Sequence, residues 1–324
     1  MTTDPAAPSR RAAVLGHPIA HSLSPTIHQA AYRALGLTGW TYEAIDLDAD
    51  GLAGFLASAS DWAGFSLTMP LKQVALRLAS QVSDLARLTG SANTLTPLPA
   101  GGWYADNTDI AGMMAALAEA WATDRGARGI AGGRVSQRGG GAGDVVALAS
   151  APASAPLTGT VLGSGATAAS AVAALARIGM GSIDILARRP ERAENLPGVA
   201  QALGASATVH LLSYAPPPGN VTIAALPAGA ADAWAKTLPA NLAGRVLLDV
   251  AYDPWPSLLA RAWVAAGGTV VPGLAMLLWQ AGGQVEAMTG KVAPMRAMRG
   301  ALEAVRPGGT GIVHGNLGGG PWAQ

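Results

Sequence analysis

Among 21 basic residues only three are lysines, Lys72, Lys236 and Lys291. A lysine, unlike an arginine, gives up its proton in a suitable setting and can serve proton transfer at a reacting oxygen. Lys72 follows Thr68-Met69-Pro70-Leu71. Composition alone leaves such a residue on the surface, and only its neighbours in the pattern make it an acid–base candidate. A second constellation is the turn Gly163-Ser164-Gly165-Ala166-Thr167-Ala168, which reads G-x-G-x-x-A between an apolar strand end and a helix. Gly163 permits the tight turn, Gly165 lets backbone approach a pyrophosphate, and Ala168 allows close helix–strand packing, with the helix N-terminus facing the anion. The plain alternative is a flexible turn in a chain with 42 glycines.

The residues about 20 positions further on discriminate between dinucleotides, because NAD sites usually carry Asp or Glu there for the ribose 2′-hydroxyl. Here the chain reads Ala187-Arg188-Arg189-Pro190-Glu191-Arg192. Three guanidiniums suit a 2′-phosphate through paired hydrogen bonds, the alternative being a solvated basic turn. Asp184 comes too early in its strand, and Glu191 lies among the arginines. The cofactor reading is NADP(H), held by Gly163, Ser164, Gly165, Ala166 and Thr167 and by Arg188, Arg189 and Arg192.

These groups need a scaffold, and 324 residues with 50% hydrophobic content suffice for about two domains. Short apolar runs alternate with helical patterns. Strands are expected at Ala12–Leu15, Trp40–Leu47 and Trp62–Met69, and helices at Pro25–Leu35, Gly51–Ala59 and from Pro70 to about Leu88. That pattern predicts an α/β domain with a largely parallel sheet. After residues 124–158, rich in Gly, Ala, Ser and Pro and read as a flexible insertion, a second α/β pattern begins. Its strands are Thr160–Leu162, Ile183–Ala187, Val221–Ala225, Val246–Val250 and Thr269–Val271. Gly163–Ser170 reads as the turn and Ala171–Ile178 as the helix.

Several classes are excluded. A net charge of +1 argues against a broad nucleic-acid surface, and the absence of Cys removes disulfides, thiolate metal sites and a Cys nucleophile. His17, His21 and His28 lack a metal partner set and read as structural, so no metal is expected. The stretch Ala262–Val285 is uncharged but broken by Gly and Pro, and reads as strand, turn and helix rather than a membrane span. The N-terminal segment lacks a signal-peptide apolar run, so a cytoplasmic location is expected, with no membrane or nucleic-acid partner.

Further motifs occur in a fixed order: His21-Ser22-Leu23-Ser24-Pro25, Leu67-Thr68-Met69-Pro70-Leu71-Lys72, Ala92-Asn93-Thr94 and Asp106-Asn107-Thr108-Asp109. After the glycine-rich turn come Asp249-Val250-Ala251-Tyr252 and Gly273-Leu274-Ala275-Met276-Leu277-Leu278-Trp279-Gln280. Together they resemble the shikimate dehydrogenase family over residues 12 to 303, outside the insertion. The resemblance implies NADPH-dependent, reversible reduction of 3-dehydroshikimate to shikimate, with Lys72 and Asp109 as the catalytic pair. It also implies Ser22 and Ser24 on the substrate carboxylate, Thr68, Asn93, Tyr252 and Gln280 completing the pocket, and Val250 and Gly273 at the cofactor. Each has a plainer counterpart: Ser22 and Ser24 or Asp109 as helix caps, Asn93 as a turn residue, Tyr252 and Gln280 as packing.

The implied architecture is a substrate-binding α/β domain of residues 1–109 plus 274–306 and a Rossmann-type NADP-binding domain of residues 110–273. An interdomain cleft would hold the site, residues 307–324 would form a disordered tail, and the chain would act as a monomer or homodimer. Departures from the family pattern are Ser66 where Asn is frequent, Ala166 for Gly, Ala187 for Asn, and Ala224-Ala225-Leu226-Pro227 without the usual polar residues. Rival readings are a quinate/shikimate dehydrogenase preferring NAD, an enzyme for an amino analogue, and a non-catalytic ligand-binding regulator on the same fold. The last has no need of a Lys–Asp pair.

Overall fold

The computed structural model describes residues 10–127, 157–214 and 216–315. In chain order the elements are β1 (Arg10–Gly16), α1 (Ser24–Ala34), β2 (Trp40–Asp46), α2 (Leu52–Ala57), β3 (Trp62–Leu67), α3 (Val74–Leu78), β4 (Gln81–Val82), α4 (Asp84–Thr89), β5 (Thr94–Pro97), β6 (Trp103–Asp106) and α5 (Thr108–Ala127). They continue with β7 (Thr158–Leu162), α6 (Ala166–Arg177), β8 (Ser182–Ala187), α7 (Leu196–Ala202), β9 (Ser206–Leu211), β10 (Val221–Ala224), α8 (Asp232–Ala235), β11 (Val246–Asp249), α9 (Leu258–Ala265), β12 (Thr269–Pro272), α10 (Gly273–Thr289), α11 (Met295–Val305) and β13 (Val313–His314). Two compact units result: residues up to Gly112 with Leu277–Gly308, and Met113–Met276 with the segment from Gly309.

The first unit is built on a six-stranded sheet of order β2-β1-β3-β5-β6-β4. Strand β1 runs parallel to β2 and β3, but β5 is antiparallel to both β3 and β6. Because β4 also runs parallel to β6, the sheet is mainly parallel as expected, and the antiparallel exception is β5, which the turn with positive φ at Gly101 and Gly102 folds onto β6 as a hairpin. Period-two alternation in β1 sends Ala12 and Val14 into a core with Ile27, Tyr32, Leu278 and Met298, and Ala13 and Leu15 into one with Leu52, Phe65, Leu71 and Trp103. Burial on both faces explains why such strands read as unbroken apolar runs.

The predicted helix from Pro70 to Leu88 is instead α3, β4 and α4. Ser80 N–H and Ser83 N–H donate to the carbonyls of Trp103 and Ala105, so pairing with β6 extracts two residues from the helical pattern. Ser83 then caps α4, its Oγ accepting from Ala86 N–H at 3.2 Å.

In the second unit the sheet order is β13-β12-β11-β10-β7-β8-β9, parallel except for the β12–β13 pair. Read from β7, the parallel strands follow the 3-2-1-4-5-6 order of doubly wound dinucleotide folds, with the strand order reversing between β7 and β10. Strands β10 and β11 are wholly buried. The α6 helix begins at Ala166, five residues before the expected Ala171, because Gly165 serves as its N-cap and the small residues behind it pack as helix.

The predicted tail is also corrected over its described part: β13 pairs with β12, and Thr269 Oγ1 lies 3.1 Å from His314 Nδ1. The proposed insertion lies mostly outside the described residues; at its edges α5 continues to Ala127 and β7 begins at Thr158. The stretch Ala262–Val285 resolves into the end of α9, β12 and most of α10. Among the described residues no helix is long and apolar enough to cross a membrane.

Candidate active site

Lys72 sits in the turn between β3 and α3. The turn is held from below: Thr68 N–H donates to Leu15 O at 2.9 Å, Leu71 N–H to Thr68 O at 2.8 Å, and the Leu71 side chain is fully buried. Ala92 N–H donates to Lys72 O at 2.9 Å, tying the turn to the segment that carries Asn93. Asp109 occupies the first turn of α5, and its backbone N–H donates to Asn107 Oδ1 at 3.1 Å. Asn107, not Asp109, thus performs the capping role, and the Asp109 carboxylate is left for other partners.

Those partners define the site. Lys72 Nζ donates to Asp109 Oδ2 at 2.5 Å, with the two side chains 15% and 5% exposed. Asn93 Nδ2 lies 2.8 Å from Asp109 Oδ1, 3.0 Å from Thr108 Oγ1 and 3.1 Å from Gln280 Oε1. Four residues widely spaced along the chain, Lys72, Asn93, Asp109 and Gln280, are therefore linked by hydrogen bonds. Close approach of α5 and α10 makes this possible: a Cβ on Gly112 would sit 2.7 Å from Gln280 Cβ and 2.9 Å from Gln280 N. A charged pair so little hydrated retains strength that a surface pair loses to solvent.

The other predicted residues are placed as follows. Ser22 Oγ accepts at 3.3 Å from the N–H of Ser24, the first residue of α1, so Ser22 satisfies a donor at the helix start as its capping alternative has it, whereas Leu23 holds the N-cap position and Ser24 is buried inside the helix. Thr68 lies at the end of β3, its methyl where a Cβ on Gly16 would collide. Tyr252 follows β11 in the second unit and is half-buried. The loop that carries it is shaped by Asp249, whose carboxylate accepts from Ser257 Oγ at 2.5 Å and Ala251 N–H at 3.1 Å; burial raises the Asp249 pKa against these bonds.

The dinucleotide candidates gather at the carboxyl edge of the second sheet. Gly163 N–H donates to Leu186 O at 2.9 Å, so the glycine turn and the end of β8 lie side by side. Gly163 has φ +127°, and a Cβ there would meet Ala225 O at 2.6 Å, whereas a Cβ on Gly165 would meet nothing within 4 Å. The second glycine thus leaves open space at an α6 N-terminus that no side chain caps, as a pyrophosphate needs. Ala168 is fully buried between helix and strand. Arg188, Arg189 and Arg192 are exposed, and none is ion-paired with a carboxylate among the described residues. Val250 N–H donates to Ala224 O, and Gly273 must be glycine because a Cβ would lie 2.4 Å from Val250 O. These features fit a dinucleotide carrying a 2′-phosphate. No cluster of three or more His, Asp and Glu able to hold a metal occurs among the described residues.

Residues that no motif announced surround this site: Tyr42, His28 and Gln284. His28 is fully buried, stacked on Tyr42 at 3.9 Å between ring centroids, with Nε2 3.4 Å from Gln284 Oε1. The only signal in the sequence was a polar residue on an apolar helix face. Burial lowers the His28 pKa from 6.5 to about 3, while Tyr32 and Tyr42 beside it are pushed upward and stay neutral.

The consequence has a definite sign. Below pH 6.5 the unfolded chain takes up a proton that folded His28 refuses, so stability is complete above 6.5 and falls as pH drops toward 3, by up to about tenfold in the folding equilibrium per pH unit. Urea unfolding across that range should show a stability slope steeper, by up to one proton, than that of His28→Phe, which keeps the stack and shares every other titrating group. Identical slopes for the two proteins would contradict the assignment.

Comparison with known proteins places this arrangement. A family model described as the shikimate dehydrogenase substrate binding domain matches residues 14–95. The chain is 35% identical over 274 residues to "Shikimate dehydrogenase (NADP(+))" of Caulobacter vibrioides, covering 83% of this chain and 85% of that one. Among solved structures, the Mycobacterium tuberculosis shikimate dehydrogenase aligns with TM-score 0.73 and 41% identity over 91% of this chain and 99% of that one. The Thermus thermophilus shikimate 5-dehydrogenase, solved with NADP(H) and shikimate, aligns with TM-score 0.69 and 29% identity, covering 91% and 99%. With its catalytic-pair candidates joined and its second sheet wound for a dinucleotide, the chain belongs to the shikimate dehydrogenase family.

Proposed function

We propose that this protein is an NADP(H)-dependent shikimate dehydrogenase in which Lys72 and Asp109 act on the alcohol that is oxidised. The observation that supports the residue assignment is the Lys72–Asp109 pair at 2.5 Å, shared with Asn93 and through it with Gln280. When bound, the nicotinamide supplies the hydride for ketone reduction or accepts it in the reverse direction. Lys72 gives the proton that the ketone oxygen of 3-dehydroshikimate needs as it becomes the hydroxyl of shikimate, and takes it back when shikimate is oxidised. Asp109 holds the Lys72 ammonium by its Oδ2 and orients the substrate hydroxyl, while Asn93 occupies its Oδ1.

Ser22 and Ser24 grip the ring carboxylate by their hydroxyls, with Thr68 and Gln280 beside them on the first unit; Tyr252 is assigned to the substrate by the family resemblance alone. Backbone around Gly163, Ser164, Gly165, Ala166 and Thr167 takes the pyrophosphate. Arg188, Arg189 and Arg192 take the 2′-phosphate, with Val250 and Gly273 nearer the reacting end.

The test is absorbance at the reduced-nicotinamide band with shikimate or quinate and with NADP⁺ or NAD⁺. Shikimate with NADP⁺ should give the fastest reduction. Absence of any shikimate-dependent reduction would overturn the reading; quinate with NAD⁺ as the preferred pair would move it to the alternative specificity.

A further inference from the structure

Gln284 lies one helical turn beyond Gln280 on α10 and is 1% exposed. All of its hydrogen-bonding capacity is used. Its Nε2 donates to Asn93 O at 3.1 Å and Thr94 Oγ1 at 3.2 Å, and its Oε1 accepts from Ser66 Oγ at 2.7 Å, with His28 Nε2 at 3.4 Å. Tyr42 OH in turn donates to Ser66 Oγ at 2.6 Å.

The directions in this chain are not free. Thr94 Oγ1 accepts from Gln284 and so turns its own hydrogen to Asn93 Oδ1, 2.9 Å away. Thr108 N–H adds a second donor to Asn93 Oδ1 at 2.8 Å. With its oxygen surrounded by donors, the Asn93 amide has one orientation, Nδ2 toward Asp109 and Gln280. Reversing it would oppose Asn93 Oδ1 to Asp109 Oδ1, acceptor against acceptor. In its one orientation Nδ2 faces three acceptors, Asp109 Oδ1, Thr108 Oγ1 and Gln280 Oε1.

We propose that Gln284 is a positioning residue for the dehydrogenase reaction: acting through Thr94 and the Asn93 backbone, it locks the Asn93 amide in the orientation that recognises the substrate hydroxyls. The proposal rests on the shikimate dehydrogenase reading. It also accounts for Ser66, whose short hydroxyl reaches no further than Gln284, so the amide comes from helix α10 and not from strand β3.

The experiment compares Gln284→Leu and Gln284→Glu with the unmodified full chain. Leu removes both N–H donors at similar size. Glu keeps the length and Oε1 but offers an acceptor where Thr94 Oγ1 needs a donor, so Thr94 turns away from Asn93. Each variant should raise KM for shikimate by about tenfold or more, the scale of leaving buried acceptors unpaired, with KM for NADP⁺ within about twofold and kcat within about threefold. A Ser66→Asn, Gln284→Ala double variant returns an amide to the same space from β3, and should bring KM back to within about threefold of the unmodified value. Should the Leu variant fail to fold, the Glu variant and the rescue pair decide.

Unmoved KM for shikimate in folded Gln284 variants, or an equal rise in KM for both substrates, would overturn the proposal. Absence of shikimate turnover in the unmodified protein would instead sink the functional reading, so the two failures are told apart.

Discussion

Replacing Lys72 by Ala is expected to lower kcat for shikimate oxidation by about 10²-fold or more, the usual scale for losing a positioned acid–base group. The argument lies in the geometry. The Lys72 ammonium is the cation that the Asp109 carboxylate holds at 2.5 Å, and both side chains are largely withdrawn from solvent. Water entering the vacated space is not a fixed proton donor, so both the proton and its placement are lost. Lys72→Ala also leaves Asp109 buried with one partner fewer, and breaking such a pair costs on the order of 3–5 kcal/mol. Stability must therefore be read separately, by thermal unfolding and by retained NADP⁺ binding. Lys72→Met, similar in length and uncharged, should show the same loss of kcat, and Lys72→Arg should not rescue it, since a guanidinium keeps its proton. A folded Lys72→Met protein with unchanged kcat would remove Lys72 from the chemistry.

The second large effect concerns the cofactor. Arg188→Gln with Arg192→Gln should raise KM for NADP⁺ by roughly 10²-fold, since a charge-assisted hydrogen bond is worth about 1.5–3 kcal/mol, while leaving KM for NAD⁺ within about threefold. Both side chains are exposed and carry no ion pair with a described carboxylate, so their removal disturbs no packing. Arg188 lies just past β8, whose last turns run beside Gly163, where the adenosine end of a dinucleotide meets the sheet. The ratio of the two KM values is the deciding quantity, because a general loosening of the turn would weaken both cofactors alike. Equal weakening would refute 2′-phosphate recognition.

The local signals in this sequence were the ones set by short-range rules. The apolar run of β1, Pro25 at the start of α1 and the G-x-G-x-x-A turn before α6 all depend on neighbouring residues, and each was legible. The helix expected over Pro70–Leu88 failed for the opposite reason: pairing with β6, some twenty residues away, outweighed local helical preference at Gln81–Val82. The same held at Val313–His314, where the partner strand β12 is some forty residues distant.

By itself the sequence determined which groups are available: one lysine in a motif, a carboxylate at position 109, a glycine turn and three arginines where an acidic residue is the alternative. Such choices are written in residue type and local spacing, which a linear reading preserves. Only the tertiary structure decided that Lys72, Asn93, Asp109 and Gln280 share one set of hydrogen bonds, and that Gln284, Ser66, Tyr42 and His28 stand behind them. Hydrogen-bond direction depends on which donors and acceptors meet in space, and buried polar groups must find partners wherever the fold brings them. That requirement joins residues more than two hundred positions apart, and no local pattern encodes it.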